Sequence, residues 1–174
     1  EYANKLKIPI FSSPFGEKAV DLLQSLNCPI YKIASFEMTD LPLIKKVAKT
    51  KKPIIISTGM ASLDEIDETY QFAKRNGIKD ITLLYCVSKY PSERKDFNIN
   101  NIKILKQKFN CRIGFSDHSK SHEIAQAAVA AGAEVIEKHI ALENQKKGLD
   151  IEFSLKGKEI RDYFGAIQKT YQLL

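Results

Sequence analysis

The sequence predicts an α/β fold of the closed parallel-barrel class, (β/α)8 in type, and three observations carry that expectation. Short apolar runs alternate with amphipathic stretches along all 174 residues. The runs recur at the spacing of one strand plus a crossover helix, which calls for parallel pairing. Each run ends in polar residues at its carboxyl end, and only a barrel brings all its strand ends to one rim. An open doubly wound sheet leaves its edge strands far from any shared site. It also favours a Gly-rich phosphate loop after its first strand, and the sequence has none.

The elements follow in order. Ile8–Ser13 is the first candidate strand, closing on Ser12 and Ser13. A helix over Glu17–Leu26 places Ala19, Leu22, Leu23 and Leu26 on one face, and Asn27 stops it. The second strand, Ile30–Ser35, carries Lys32 and Ser35; the third, Pro53–Thr58, ends in Ser57 and Thr58. Ser62–Asn76 opens on a Ser62-x-x-Glu65 capping box and halts at Gly77, the marks of a helix. Ile81–Val87 is the fourth strand and delivers Ser88. A helix over Asn100–Phe109 leads to the fifth strand, Arg112–Ser116, with His118 just beyond it. A helix over His122–Ala131, closed by Gly132, leads to the sixth, Glu134–Ile140, which carries Glu137 and His139. A last helix spans Lys158–Leu173. The strands are apolar without alternation, as expected when both faces are buried. A full eight-stranded barrel takes about 250 residues. Six βα units in one domain therefore read as a partial barrel, and a first residue of Glu1 rather than Met fits a piece of something longer.

Composition narrows the function. At 44% hydrophobic and 28% charged residues the chain has a globular balance, which excludes intrinsic disorder. Basic residues outnumber acidic ones by 27 to 21, but only Arg75, Arg94, Arg112 and Arg161 are arginines. Base readout favours arginine forks, and no nucleic-acid-binding motif is present, so the lysines read as solvated surface. No apolar run approaches the roughly 20 residues of a membrane span. Cys28, Cys86 and Cys111 have no metal-site spacing and are odd in number, which points to a reducing cytoplasm.

Two of the three histidines carry the chemistry. His118 and His139 end consecutive strands, and each shares strand parity with a polar residue two before it, Ser116 and Glu137. A lone histidine in such a place is more often a bonded core residue. Two at matching positions on neighbouring strands, about 4.8 Å apart, can reach one metal ion. Such an ion takes its remaining ligands from substrate or water, as a catalytic site requires. His122 opens a helix and reads as a surface or capping residue. Lys32, inside an apolar run, needs a buried counter-charge: either Glu37 or Glu137, or an anionic substrate. Ser13, Ser35, Ser57, Ser88 and Ser116 at the strand ends favour the substrate, since neutral donors converge on an anion without repulsion. Lys138 faces away from His139, where an ion pair would hold it.

These residues fall in motifs that resemble the N-acetylneuraminate (sialic acid) synthase family. The motifs are Phe11-Ser-Ser-Pro-Phe15, Tyr31-Lys-Ile-Ala-Ser-Phe-Glu37, Ile56-Ser-Thr-Gly-Met60, Tyr90-Pro91, Phe115-Ser-Asp-His118, Glu137-Lys-His139 and Asp150-x-x-Phe-Ser-Leu155. The resemblance implies a TIM barrel that condenses phosphoenolpyruvate with an N-acetylated amino-sugar aldehyde. It further implies a nine-carbon sugar acid, free phosphate, a Mn2+ or Mg2+ requirement and a homodimer in the full-length protein. By motif, His118 and His139 are metal ligands, and Lys32, Ser13, Ser35, Ser57, Ser88 and Ser116 hold phosphoenolpyruvate. Glu37 and Glu137 are the site acids, while Tyr90 and Asp150 contact the sugar. The six units correspond to strands three to eight of the family barrel. The first two βα units and a C-terminal antifreeze-like domain are then missing, so the 174-residue piece alone is expected to be inactive or nearly so. Ile151 after Asp150, and Cys86–Ser92, resemble the pseudaminic acid branch; Met60 resembles the neuraminate or legionaminate branch. Two other readings compete: another phosphoenolpyruvate-using barrel synthase, and a non-catalytic barrel remnant that binds sugar as a scaffold.

Overall fold

Two prolines decide how much of the first candidate strand forms. Pro9 and Pro14 flank Ile10–Ser13, and each lacks the N–H that a ladder needs. The computed structural model, which describes residues 2–89 and 92–174, has no strand over Ile8–Ser13. A single parallel bridge between Ser12 and Tyr31 remains, with the Lys32 amide donating to the Ser12 carbonyl at 3.2 Å. Ile8, Ile10 and Phe11 stay exposed. The six expected strands are therefore five among the described residues, joined by a separate two-residue pair.

The chain divides into two compact units, Glu1–Leu83 and Leu84–Leu174. The first holds helices α1 (Tyr2–Lys5), α2 (Glu17–Ser25), α3 (Leu41–Ala48) and α4 (Leu63–Arg75), strands β1 (Tyr31–Ile33) and β2 (Ile54–Ser57), and the start of β3 (Ile81–Cys86). β1 and β2 are parallel, with Lys32 opposite Ile55. Their apolar residues Tyr31, Ile33, Ile54 and Ile56 are almost wholly buried with Val20, Leu43, Ile44, Val47 and Ala73 from the helices. α4 forms as its capping box predicts: the Glu65 amide donates to Ser62 Oγ, and the Ser62 amide donates to Glu65 Oε2 at 2.7 Å. α3 lies in a stretch with no helix predicted. Asp40 caps it by accepting from the Leu43 amide at 3.0 Å, and Pro42 sits in its first turn, where a missing N–H costs nothing.

The second unit holds the end of β3, then α5 (Asn100–Lys108), β4 (Arg112–Asp117), α6 (His122–Ala130), β5 (Val135–Lys138), β6 (Ile140–Ala141), β7 (Leu155–Lys156) and α7 (Lys158–Tyr171). β4 and β5 are parallel, registering Gly114 with Val135 and Ser116 with Glu137. The sixth expected strand, Glu134–Ile140, breaks at His139. The His139 carbonyl accepts from the Leu155 amide at 2.9 Å, which starts the separate parallel pair β6–β7. Ala125, Leu155 and Tyr163 form a core patch covered by Ile136, Ile160 and Ile167. Strand order follows chain order in each unit, β1-β2-β3 and β3-β4-β5. The order reversal of a doubly wound sheet is not found among the described residues, and consecutive βα units fit a fragment of a parallel barrel. No helix among the described residues is long and apolar enough to cross a membrane.

Candidate active site

In the first unit the site begins with a lysine that the strand cannot leave bare. Strand alternation sends Lys32 to the face opposite Tyr31 and Ile33. It is only 9% exposed, so its ammonium must be bonded. Nζ donates to Ser57 Oγ at 2.8 Å, from the buried end of β2. The chain leaves β1 through a short 3-10 turn, Ser35–Glu37, whose two end residues are both half-buried. Glu37 Oε2 is buried there without a hydrogen-bond partner, an acceptor that native proteins rarely leave open. Ser13 is half-buried just past the Ser12 bridge.

In the second unit the β4–β5 register does the assembling. Ser116 stands opposite Glu137, and its hydroxyl donates to Glu137 Oε1 at 2.7 Å. Two residues further on, the His118 and His139 rings face each other with centroids 5.4 Å apart and planes inclined by 46°. His118 Nδ1 lies 3.1 Å from the Val87 carbonyl oxygen. A carbonyl only accepts, so this contact assigns the proton to Nδ1, and Nε2, which carries the lone pair, lies 3.4 Å from Ser116 Oγ. Burial pushes the His118 imidazole below its usual titration range; the Val87 bond opposes this and His139 reinforces it. The neutral ring is the form that binds metal. His139 Nδ1 lies 3.6 Å from Asp150 Oδ2, an ion-pair distance too long for a hydrogen bond. Phe153 packs edge-on against both rings, at 5.8 Å from His118 and 5.1 Å from His139.

The structure thus brings together His118, His139, Ser116, Glu137 and Asp150 within the second unit, and Lys32 with Ser57 in the first. Ser88 Oγ is buried without a hydrogen-bond partner. Tyr90 lies outside the described residues. Asp150, expected at the sugar, stands beside a histidine. His122 is exposed at the start of α6, as expected of it. Phe153 and the Val87 carbonyl were not anticipated. Phe153 sits in the quoted Asp150-x-x-Phe motif, but nothing in its spacing says it touches two imidazoles.

Two imidazoles with carboxylates close by suit a divalent cation. Among the described residues no group of three or more His, Cys, Asp or Glu side chains is placed to hold a metal ion.

The NeuB family model matches residues 1–174. The chain is 43% identical over 170 residues to a pseudaminic acid synthase of Helicobacter pylori, covering 98% of this chain and 50% of that protein. It is 44% identical over 162 residues to an N,N'-diacetyllegionaminic acid synthase of Campylobacter jejuni, covering 92% and 48%. The crystal structure of an N-acetylneuraminic acid synthetase from Leptospira borgpetersenii superposes with a TM-score of 0.93 at 34% identity, covering 98% of this chain and 60% of that one. The chain spans about half the length of the curated relatives it matches.

Proposed function

The chain belongs to the NeuB family, whose matched members include synthases of pseudaminic, legionaminic and N-acetylneuraminic acids, and from that premise we propose that its residues serve condensation of phosphoenolpyruvate with an N-acetylated amino-sugar aldehyde. The products are a nine-carbon sugar acid and free phosphate. In this reading the chain corresponds to strands three to eight of an eight-stranded barrel, with Ile8–Ser13 where the third strand belongs. The intact enzyme is a cytoplasmic homodimer, and three cysteines, Cys28, Cys86 and Cys111, odd in number and without metal-site spacing, support a reducing setting.

The observation that carries the proposal is the facing pair His118 and His139, with His118 held in one tautomer by Val87. These two residues would hold Mn2+ or Mg2+. When bound, the cation would polarise the aldehyde carbonyl, so that its carbon is open to attack by the methylene carbon of phosphoenolpyruvate. Lys32, with Ser57, Ser13, Ser35, Ser88 and Ser116, binds the phosphate and carboxylate. An ammonium already oriented by Ser57 is a preorganised, charge-assisted donor for an anion. As positive charge develops at C2, water adds there and phosphate departs. That water must lose a proton. The open Glu37 Oε2 supports Glu37 as the acceptor, whereas Glu137 already accepts from Ser116 and reads as charge stabiliser. Tyr90 and Asp150 contact the sugar. The pseudaminic and legionaminic relatives match at 43% and 44%, so the acceptor is proposed only as an acetylated amino sugar.

Calorimetric titration of the intact protein with Mn2+ tests the metal pair and separates a synthase from a sugar-binding scaffold. Binding in the wild type that disappears in His118→Ala is expected. No binding, or binding unchanged by the substitution, overturns the proposal.

A further inference from the structure

Asp117 and Lys138, immediately before the two histidines, are buried on the opposite face of the strand pair. Asp117 is fully buried and the Lys138 side chain is 7% exposed. The register places them opposite one another. Lys138 Nζ donates to the backbone carbonyl of Asp117 at 3.1 Å and also to that of Ser119. Those are the carbonyls on either side of His118. The ammonium lies 3.7 Å from Asp117 Oδ2 and 5.8 Å from the centre of the Tyr163 ring. Asp117 completes the set: Oδ1 accepts from the Ser119 amide at 2.8 Å, and Oδ2 accepts from the Tyr163 hydroxyl of α7 at 2.7 Å.

A lone ion pair needs none of this. Burying an ammonium and a carboxylate costs several kcal/mol that apolar residues would not incur. A carboxylate partner alone does not explain why the lysine spends donors on two backbone carbonyls bracketing one residue. The connectivity does. The residue preceding His139 grips the backbone before and after His118, so the separation of the two imidazoles is fixed by one side chain.

We infer that Lys138 and Asp117, backed by Tyr163, are positioning residues that hold His118 and His139 at the spacing a shared cation requires. The inference rests on the proposed metal role of the histidines. The clamp acts through the backbone on either side of His118. Loosening it lets His118 drift from Val87, which frees its tautomer and spoils the preorganised donor pair.

The test compares wild type with Lys138→Met, Tyr163→Phe and the double variant Asp117→Asn/Lys138→Met, which leaves no unpaired buried charge if the single change fails to fold. Imidazole 15N shifts are read first in metal-free protein, and Mn2+ affinity second, both well below each variant's melting temperature. The wild type should show His118 as a single Nδ1–H tautomer. The lysine variants should show a mixture and an Mn2+ Kd raised about 10-fold or more, with Tyr163→Phe moving both readouts less and in the same direction. Ring shifts and Kd that stay at wild-type values while only the melting temperature falls would overturn the clamp. Wild-type protein that binds no Mn2+ would overturn the metal reading, and the ring shifts would still judge the clamp.

Discussion

Gly114→Ala adds one methyl group where β4 registers against Val135 of β5. A Cβ there meets the Val135 carbonyl oxygen and Leu84 Cδ2 at 2.5 Å, and Val135 Cβ at 2.8 Å. The leucine methyl can rotate away, but the carbonyl belongs to the backbone registered with Gly114 itself. Restoring an ordinary contact of 3.4 Å from 2.5 Å requires 0.9 Å of movement. Ladder hydrogen bonds tolerate only a few tenths of an ångström before they fail. Overpacking of this kind costs about 1–3 kcal/mol, and the backbone origin of the clash pushes the cost toward the upper end. At about 2–4 °C per kcal/mol for a chain of this size, the melting temperature should fall by roughly 2–12 °C. Thermal unfolding followed by circular dichroism measures it. The same strand separation should lengthen the Ser116–Glu137 bond two residues along and alter the His118 ring signals. A melting temperature within about 1 °C of wild type, with the ring signals unmoved, would refute the claim that this strand pair has no slack.

Two further predictions concern the first unit. Glu65 accepts from the Ser62 amide and hydroxyl, and these bonds hold its carboxyl below the ordinary glutamate range. Its folded-state titration is thus lower than its unfolded one, so the capping box stabilises the fold above the unfolded midpoint and loses that contribution as pH falls through the folded one. A carboxyl 13C titration should show the depressed midpoint, restored toward the ordinary value in Ser62→Ala; identical midpoints in the two proteins would contradict the box. Lys32→Met should keep the buried alkyl packing but weaken phosphoenolpyruvate binding about 10- to 100-fold, the equivalent of one charge-assisted hydrogen bond. Calorimetry that finds the affinity unchanged would remove Lys32 from the anion site.

The parts of this molecule that follow local rules could be read from the chain, and the parts set by distant contacts could not. β2, β3 and β4 lie where unbroken apolar runs place them, because strands buried on both faces need no alternation. Ile8–Ser13 looks the same by composition but contains Pro9 and is followed by Pro14, and only one bridge forms. α3 escapes notice because it is short and mixes lysines with β-branched residues; its signals were Asp40 and Pro42. Parity along β4 and β5 was enough to pair His118 with His139 and to turn Lys138 away. It could not supply Tyr163, which reaches Asp117 from 46 residues further along. The edge-on contact of Phe153 and the tautomer-setting Val87 carbonyl are likewise products of folding, since neither has a sequence spacing that distinguishes it from ordinary core.

The most direct test of the function is a phosphate-release assay on the intact protein, with mass spectrometry of the products. Phosphate should appear only when phosphoenolpyruvate, an N-acetylated amino-sugar aldehyde and a divalent cation are all present, in equal amount to a nine-carbon sugar acid. Release without the sugar, or no nine-carbon product from any acetylated amino sugar tried, would contradict the account.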